Sequence, residues 1–135
     1  MLKSFVILKT VISFIIPYII LYAIYIQLNG EASPGGGFQA GVIFASGIIG
    51  FDLIGGEERF GGVKSLIICG VLGVLLYAST GLISFFTDDN YLNYDSIFAG
   101  NPLMGQHIGI FAIELGVGLT VASIMCLIYL SLREE

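Results

Sequence analysis

Four long apolar stretches, separated by short polar or glycine-rich links, set the layout of this chain. They run from about residue 8 to 28, from about 38 to 54, from about 65 to 86 and from about 108 to 132. A hydrocarbon core of about 30 Å takes roughly 20 helical residues to cross, so each stretch predicts a transmembrane helix. The second is the shortest, and reaches both interfaces by starting inside the preceding glycines, by standing with little tilt, or by letting its flanks snorkel. Runs of this length differ from the short alternating segments of a membrane β-barrel. The expected fold is a single all-α integral membrane domain over residues 1–135 with four transmembrane helices.

Bulk composition agrees: 56% of the 135 residues are hydrophobic and 11% are charged, with a mean hydropathy of +0.96. A cleavable signal peptide is the rival for the first stretch, because Lys3 and Lys9 precede it, but the run is long and lacks an Ala-x-Ala-like exit. Pro17 interrupts that helix and predicts a kink, its freed carbonyl met by a neighbouring helix or water. Tyr18, Tyr22 and Tyr25 share a face, which reads as packing plus an interfacial aromatic belt.

The basic residues give the orientation. With four spans, Lys3, Lys9, Arg59, Lys64 and Arg133 all fall on one side, while the other side carries Glu31, Asp88, Asp89 and Asp95 and no Lys or Arg. Positive charge marks the cytoplasmic side, so both termini are expected there. The segment from Thr87 to Gln106, with Tyr91, Tyr94, Pro102 and Gly105, then faces outward and reads as an ordered cap whose acids are solvated.

Polar residues inside the apolar stretches carry the candidate chemistry. Glu114 lies between Ile113 and Leu115, about 8 Å outward of the centre of the fourth span at 1.5 Å per residue. An ionised carboxylate facing lipid costs at least a few kcal/mol, so Glu114 faces a partner, a water-filled cavity or a proton. Its plainer role is interhelical glue. His107 is seven residues earlier on nearly the same face and about 10 Å further out, which makes the two a candidate polar track or leaves His107 as an interfacial residue. Asp52, near the inner end of the second span, is either a boundary residue in reach of headgroup water or a third path residue. Gln39 lies at the other end of that helix on a different face, so no continuous path is expected along the second helix alone.

Small residues recur four apart as Gly37, Gly41 and Ala45, as Gly105 and Gly109, as Ala112, Gly116 and Thr120, and as Gly118, Ala122 and Cys126. Lipid is as apolar as Leu, so helices associate by close packing, and these faces are expected to be contacts within the chain or with others. Cys69 and Cys126 have no Cys or His at metal-ligand spacing and read as packing residues, so no metal and no cofactor is expected. No Gly-Lys-Ser/Thr follows the glycine run as a phosphate loop would require. Without a basic tract or a nucleophile beside a base, neither nucleic-acid binding nor hydrolysis is supported.

Between the first and second stretches stands Gly30-Glu31-Ala32-Ser33-Pro34-Gly35-Gly36-Gly37-Phe38-Gln39-Ala40-Gly41-Val42. A glycine triplet beside a helix start costs entropy and points to a special turn or a close backbone approach. This block resembles the signature of the MnhB/MrpB family, small subunits of multisubunit cation/proton antiporters. The likeness extends over nearly the whole chain. In the last span the family pattern Phe-Asp-x-Gly-Val is matched here by Ile113-Glu114-Leu115-Gly116-Val117, with Glu in place of Asp. Relatives often carry a His upstream of the glycines, where this chain has Glu31. The resemblance implies a small, non-enzymatic subunit of a hetero-oligomeric Na⁺/H⁺ antiporter in a prokaryotic cell membrane, with larger subunits, H⁺ and Na⁺ as partners. A membrane-bound hydrogenase arm and a self-contained four-helix proton-coupled exporter are the alternatives. All five cations on one side and an acid in the last span argue against the exporter.

Overall fold

The computed structural model describes residues 6–30, 32, 35–55, 62–86 and 102–133. They form four helices: α1 (Val6–Leu28), α2 (Gly36–Leu53), α3 (Gly62–Phe86) and α4 (Pro102–Arg133). All four are long and apolar enough to cross a membrane. Lys3, Glu31, Pro34, Arg59 and the acidic segment with Asp88, Asp89, Tyr91, Tyr94 and Asp95 lie outside the described residues.

The fourth helix begins at Pro102, ahead of the apolar stretch that starts near Ile108, so Gln106 and His107 are helical. The reason lies in Pro102, whose fixed φ suits the first helical position and whose missing N–H is not needed there.

The helices stand in a row, α1–α2–α4–α3, instead of closing into a bundle. α2 packs on α1 and α4, α4 packs on α2 and α3, and α1 only grazes α4. Among the described residues α3 meets neither α1 nor α2.

Two small-residue faces put α4 in the middle. On one, Glu114, Gly118 and Tyr129 meet Gly37, Gly41 and Asp52 of α2. Each pair is 77 residues apart, as for Asp52 and Tyr129, so α2 and α4 run parallel in one unbroken register. On the other face Gly116, Thr120 and Ser123 meet Tyr77, Gly73 and Gly70, an antiparallel register. A Cβ on Gly73 would lie 2.7 Å from the Gly116 carbonyl oxygen, and one on Gly41 would lie 2.6 Å from that of Gly118. Both helix pairs therefore touch backbone to backbone, as membrane helices with small residues four apart do. Hydroxyls at these contacts are satisfied locally: Thr120 donates to the Gly116 carbonyl at 2.8 Å and Ser123 to that of Leu119 at 2.8 Å.

Between α1 and α2, running antiparallel, Gly47 and Gly50 receive Ile20 and Ile16. The buried apolar residues are mostly small, including Ala23, Ala40, Ala45 and Cys126, whereas Phe14, Leu75, Ile68 and many other large side chains are exposed. A row of helices in water could not sustain that surface; in a bilayer or a larger assembly it is the solvated or docked face. Tyr18, Tyr22 and Tyr25 belong to it. More than half of each of these residues is exposed, and Tyr22 and Tyr25 stack on each other.

Candidate functional site

The glycine block builds a junction of three helices around Glu114. At the end of α1, Asn29 donates through both its backbone N–H and its side-chain amide to the Tyr25 carbonyl, and the Ala32 N–H then bonds the Asn29 carbonyl. This closes the turn. The chain enters α2 through Gly35 at φ 149° and Gly36 at φ 67°, conformations that disfavour any residue with a Cβ.

Gly37 acts through space instead of through its dihedral angles. A Cβ there would run into the backbone carbonyl of Glu114, lying 2.6 Å from the carbonyl carbon. Two of the three glycines thus make the turn, and the third admits the close approach.

That approach seats the Glu114 side chain. A Cβ on Gly30 would lie 2.8 Å from its carboxyl carbon, and one on Gly36 would lie 3.1 Å from Oε1. The carboxyl group rests between the end of α1 and the first residue of α2, in a space that only glycines leave open. The first N–H groups of a helix have no intrahelical partners and carry partial positive charge, so this place favours a carboxylate. Glu114 also marks a step in the row. α1 and α2 end at its level, while α3 continues past Tyr77 to Phe86 and α4 extends back to Pro102.

His107 lies on that extension, about 10 Å from Glu114 along the axis, with its side chain exposed. Ile110 and Phe111 occupy the helical turns between them. Gln39 folds back toward the turn, its Oε1 2.6 Å from where a Cβ on Gly35 would stand. Phe38 is exposed and Gly41 is buried against Gly118 and Val121. Gly109, Gly116 and Gly118 are all buried.

Asp52 is far from this junction, about 22 Å away along α2. Its side chain is only 6% exposed, and Oδ2 accepts from the Tyr129 hydroxyl at 2.6 Å and from Arg133 Nη1. Lys9 lies at the same end, its Nζ 3.8 Å from where a Cβ on Gly55 would be. The acid is a clamp between the ends of α2 and α4, so Asp52 and Glu114 are separate polar centres.

The sequence reading missed Gln27. This amide sits one turn before Gly30, its Oε1 2.6 Å from a Cβ built on Gly118, and its Nε2 is buried without a hydrogen-bond partner among the described residues. The signal was available, since a lone amide near the end of an apolar span is as anomalous as the lone acid. Among the described residues no group of His, Cys, Asp and Glu could hold a metal ion.

A continuous parallel α2/α4 contact that opens on the glycine block and closes on Asp52 uses nearly the whole chain, and so does the family match. Residues 7–127 match the domain related to the MnhB subunit of Na⁺/H⁺ antiporters. The chain belongs to the MnhB family. It is 30% identical to antiporter subunit mnhB2 of Staphylococcus haemolyticus, over 98% of this chain and 96% of that protein. It is 28% identical to the mnhB2 subunits of Staphylococcus aureus strains Newman and NCTC 8325, over the same shares. No solved structure matches the chain. The MnhB fold seen here is a multi-pass membrane row with one embedded acid at its glycine junction.

Proposed function

We propose that this chain is a small subunit of a multisubunit Na⁺/H⁺ antiporter in a prokaryotic cell membrane, and that Glu114 belongs to its proton or cation path. The observation that carries the reading is the seat of the Glu114 carboxyl group between Gly30 and Gly36, inside the glycine block that bears the family resemblance. An acid held at the start of one helix, at a step where two helices stop and two continue, is placed to exchange a proton with a neighbouring subunit or trapped water. His107 extends the same α4 face outward. Asp52, tied to Tyr129 and Arg133, acts in assembly instead of conduction.

The open row supports a subunit over a self-contained carrier, since a lone exporter needs a closed cavity and these helices leave broad apolar faces uncovered. Orientation follows the charges: Lys9, Lys64 and Arg133 lie at the Asp52 end, which we assign to the cytoplasm with both termini. Larger antiporter subunits are the partners, and H⁺ with Na⁺ the transported ions. Purifying the chain in mild detergent from its own cells tests this. Large membrane subunits are expected to come with it, and a homodimer without them overturns the reading.

A further inference from the structure

α1 is one end of the row, and the chain uses one side of it. Ile16, Ala23 and Ile26 are buried, while Ser13, Phe14, Pro17, Tyr18 and Leu21 are exposed. Two open notches, of about 660 Å³ and 600 Å³, flank Pro17 on the exposed side and share Ser13 and Pro17 as a common edge. The first is lined further by Lys9, Phe14 and Tyr18, and the second by Ile20, Leu21 and Phe51 of α2.

Two groups on this side do not suit hydrocarbon. Pro17 has no N–H to give the Ser13 carbonyl, which an ordinary residue at position 17 would bond in the regular helix. Tyr18 stands near the middle of α1, about 15 Å along the axis from Leu28 and further from Val6, so its hydroxyl reaches neither membrane boundary. Thr10 satisfies its own hydroxyl by donating to the Val6 carbonyl at 2.9 Å. Among the described residues neither the Ser13 nor the Tyr18 hydroxyl makes such a bond. Acyl chains carry no donor or acceptor. A proline inside a membrane helix is tolerated where something else supplies the bond it removes, and a neighbouring helix is one such source.

We infer that the outer face of α1 around Pro17 is the docking site for a transmembrane helix of a larger antiporter subunit. That helix lies along α1 beside Phe51 of α2 and brings a side-chain donor, from Ser, Thr, Asn or Gln, to the Ser13 carbonyl. The inference rests on the subunit reading. Hydrogen bonding selects a helix over lipid, because lipid tails leave the Ser13 carbonyl and the Tyr18 hydroxyl without partners. The shape agrees: Ser13 and Pro17, four residues apart and without long side chains, let a second helix approach, and Phe14 and Leu21 pack along its flanks.

Photocrosslinking of the complex in its own membrane tests this, with p-benzoylphenylalanine in place of Phe14 or, in a separate variant, of Leu21, and the adduct identified by mass spectrometry. Both positions are expected to join this chain to one larger antiporter subunit. Adducts to lipid alone, or to a second copy of this chain, overturn the inference. Pro17→Ala is measured alongside. Alanine returns the missing N–H to the Ser13 carbonyl, so the helix inserts as before while the partner's donor loses its acceptor. The amount of larger subunit recovered per copy of this chain in mild detergent is expected to fall about threefold to tenfold, the scale of one interhelical hydrogen bond. A fall of less than about twofold overturns the inference. If larger subunits co-purify with the native chain while both crosslinks go to lipid, the docking site alone fails. If none co-purifies, the subunit reading fails with it.

Discussion

Gly35, Gly36 and Gly37 are adjacent and chemically identical, yet the chain needs them for different reasons. The first two hold sparsely populated backbone angles that cost an L-residue roughly 1–3 kcal/mol, and the third leaves room for a carbonyl oxygen of another helix. Gly36→Ala is therefore expected to cost about 1 kcal/mol for the strain of one left-handed residue, with a small addition because Glu114 Oε1, at the end of a flexible side chain, must shift by a few tenths of an ångström. Gly37→Ala is expected to cost more, about 1–3 kcal/mol, because its methyl group meets backbone that cannot rotate away, and α2 and α4 must move apart. Thermal denaturation of the purified complex checks the order. A Gly37→Ala complex as stable as the native one would show that the close α2/α4 contact is not required. The glycines were legible in the sequence as a turn or a close approach, but not which glycine does which, because that depends on where α4 stands.

At the scale of the helices, two centres at opposite ends fix how α2 lies on α4: the glycine junction and the Asp52 clamp. Tyr129 and Arg133 both bond the same carboxylate oxygen, yet they are not equivalent. The Arg133 side chain is 58% exposed, and an ion pair with a solvated partner contributes little. The tyrosine bond is made to a carboxyl group whose side chain is only 6% exposed, so Tyr129→Phe is expected to destabilise the complex by about 1 kcal/mol or somewhat more, and more than Arg133→Ala does. Melting of both variants and of the double variant decides it; equal effects would contradict the clamp as described. Along the sequence Asp52 reads as a boundary acid or a third path residue and not as a clamp, because a partner 77 residues away cannot be inferred from spacing on its own helix. Likewise α4 starts ahead of its apolar stretch. Hydropathy falls off through Met104, Gly105, Gln106 and His107, but helix formation follows Pro102 and not the edge of the apolar stretch.

The α3/α4 pair is held by another device, Gly73 against the Gly116 carbonyl, with Thr120 bonding across to Gly70 at 3.4 Å. Gly73→Leu is expected to release α3 without disturbing the α2/α4 register, lowering yield of the complex while Tyr129→Phe, which reports on the α2/α4 contact, still lowers its melting temperature by as much as in the native background. A Tyr129→Phe effect that disappears in the Gly73→Leu background would mean the row folds as one cooperative unit.

For the whole molecule, four spans and an all-helical fold were legible because an apolar run of about 20 residues fits little besides a membrane-crossing helix. The row arrangement was not. Periodicity tells which residues are small, but several faces are small at once, and it does not tell that α2 and α4 each use two of them. The open row has a functional meaning: a layer this thin buries mostly alanine, glycine and cysteine and must rely on neighbours to enclose anything polar. The embedded acid and the buried Gln27 amide both lie where α1, α2 and α4 converge. A subunit built this way contributes one wall of a path, with the rest supplied by the complex. The central claim is therefore about the acid in that wall. Glu114→Gln keeps the shape and hydrogen-bonding reach of the side chain while removing its titration, and antiport by the assembled complex in vesicles is the direct readout. The account predicts normal assembly with Na⁺/H⁺ exchange reduced by about a hundredfold, and assembly with full exchange would contradict it.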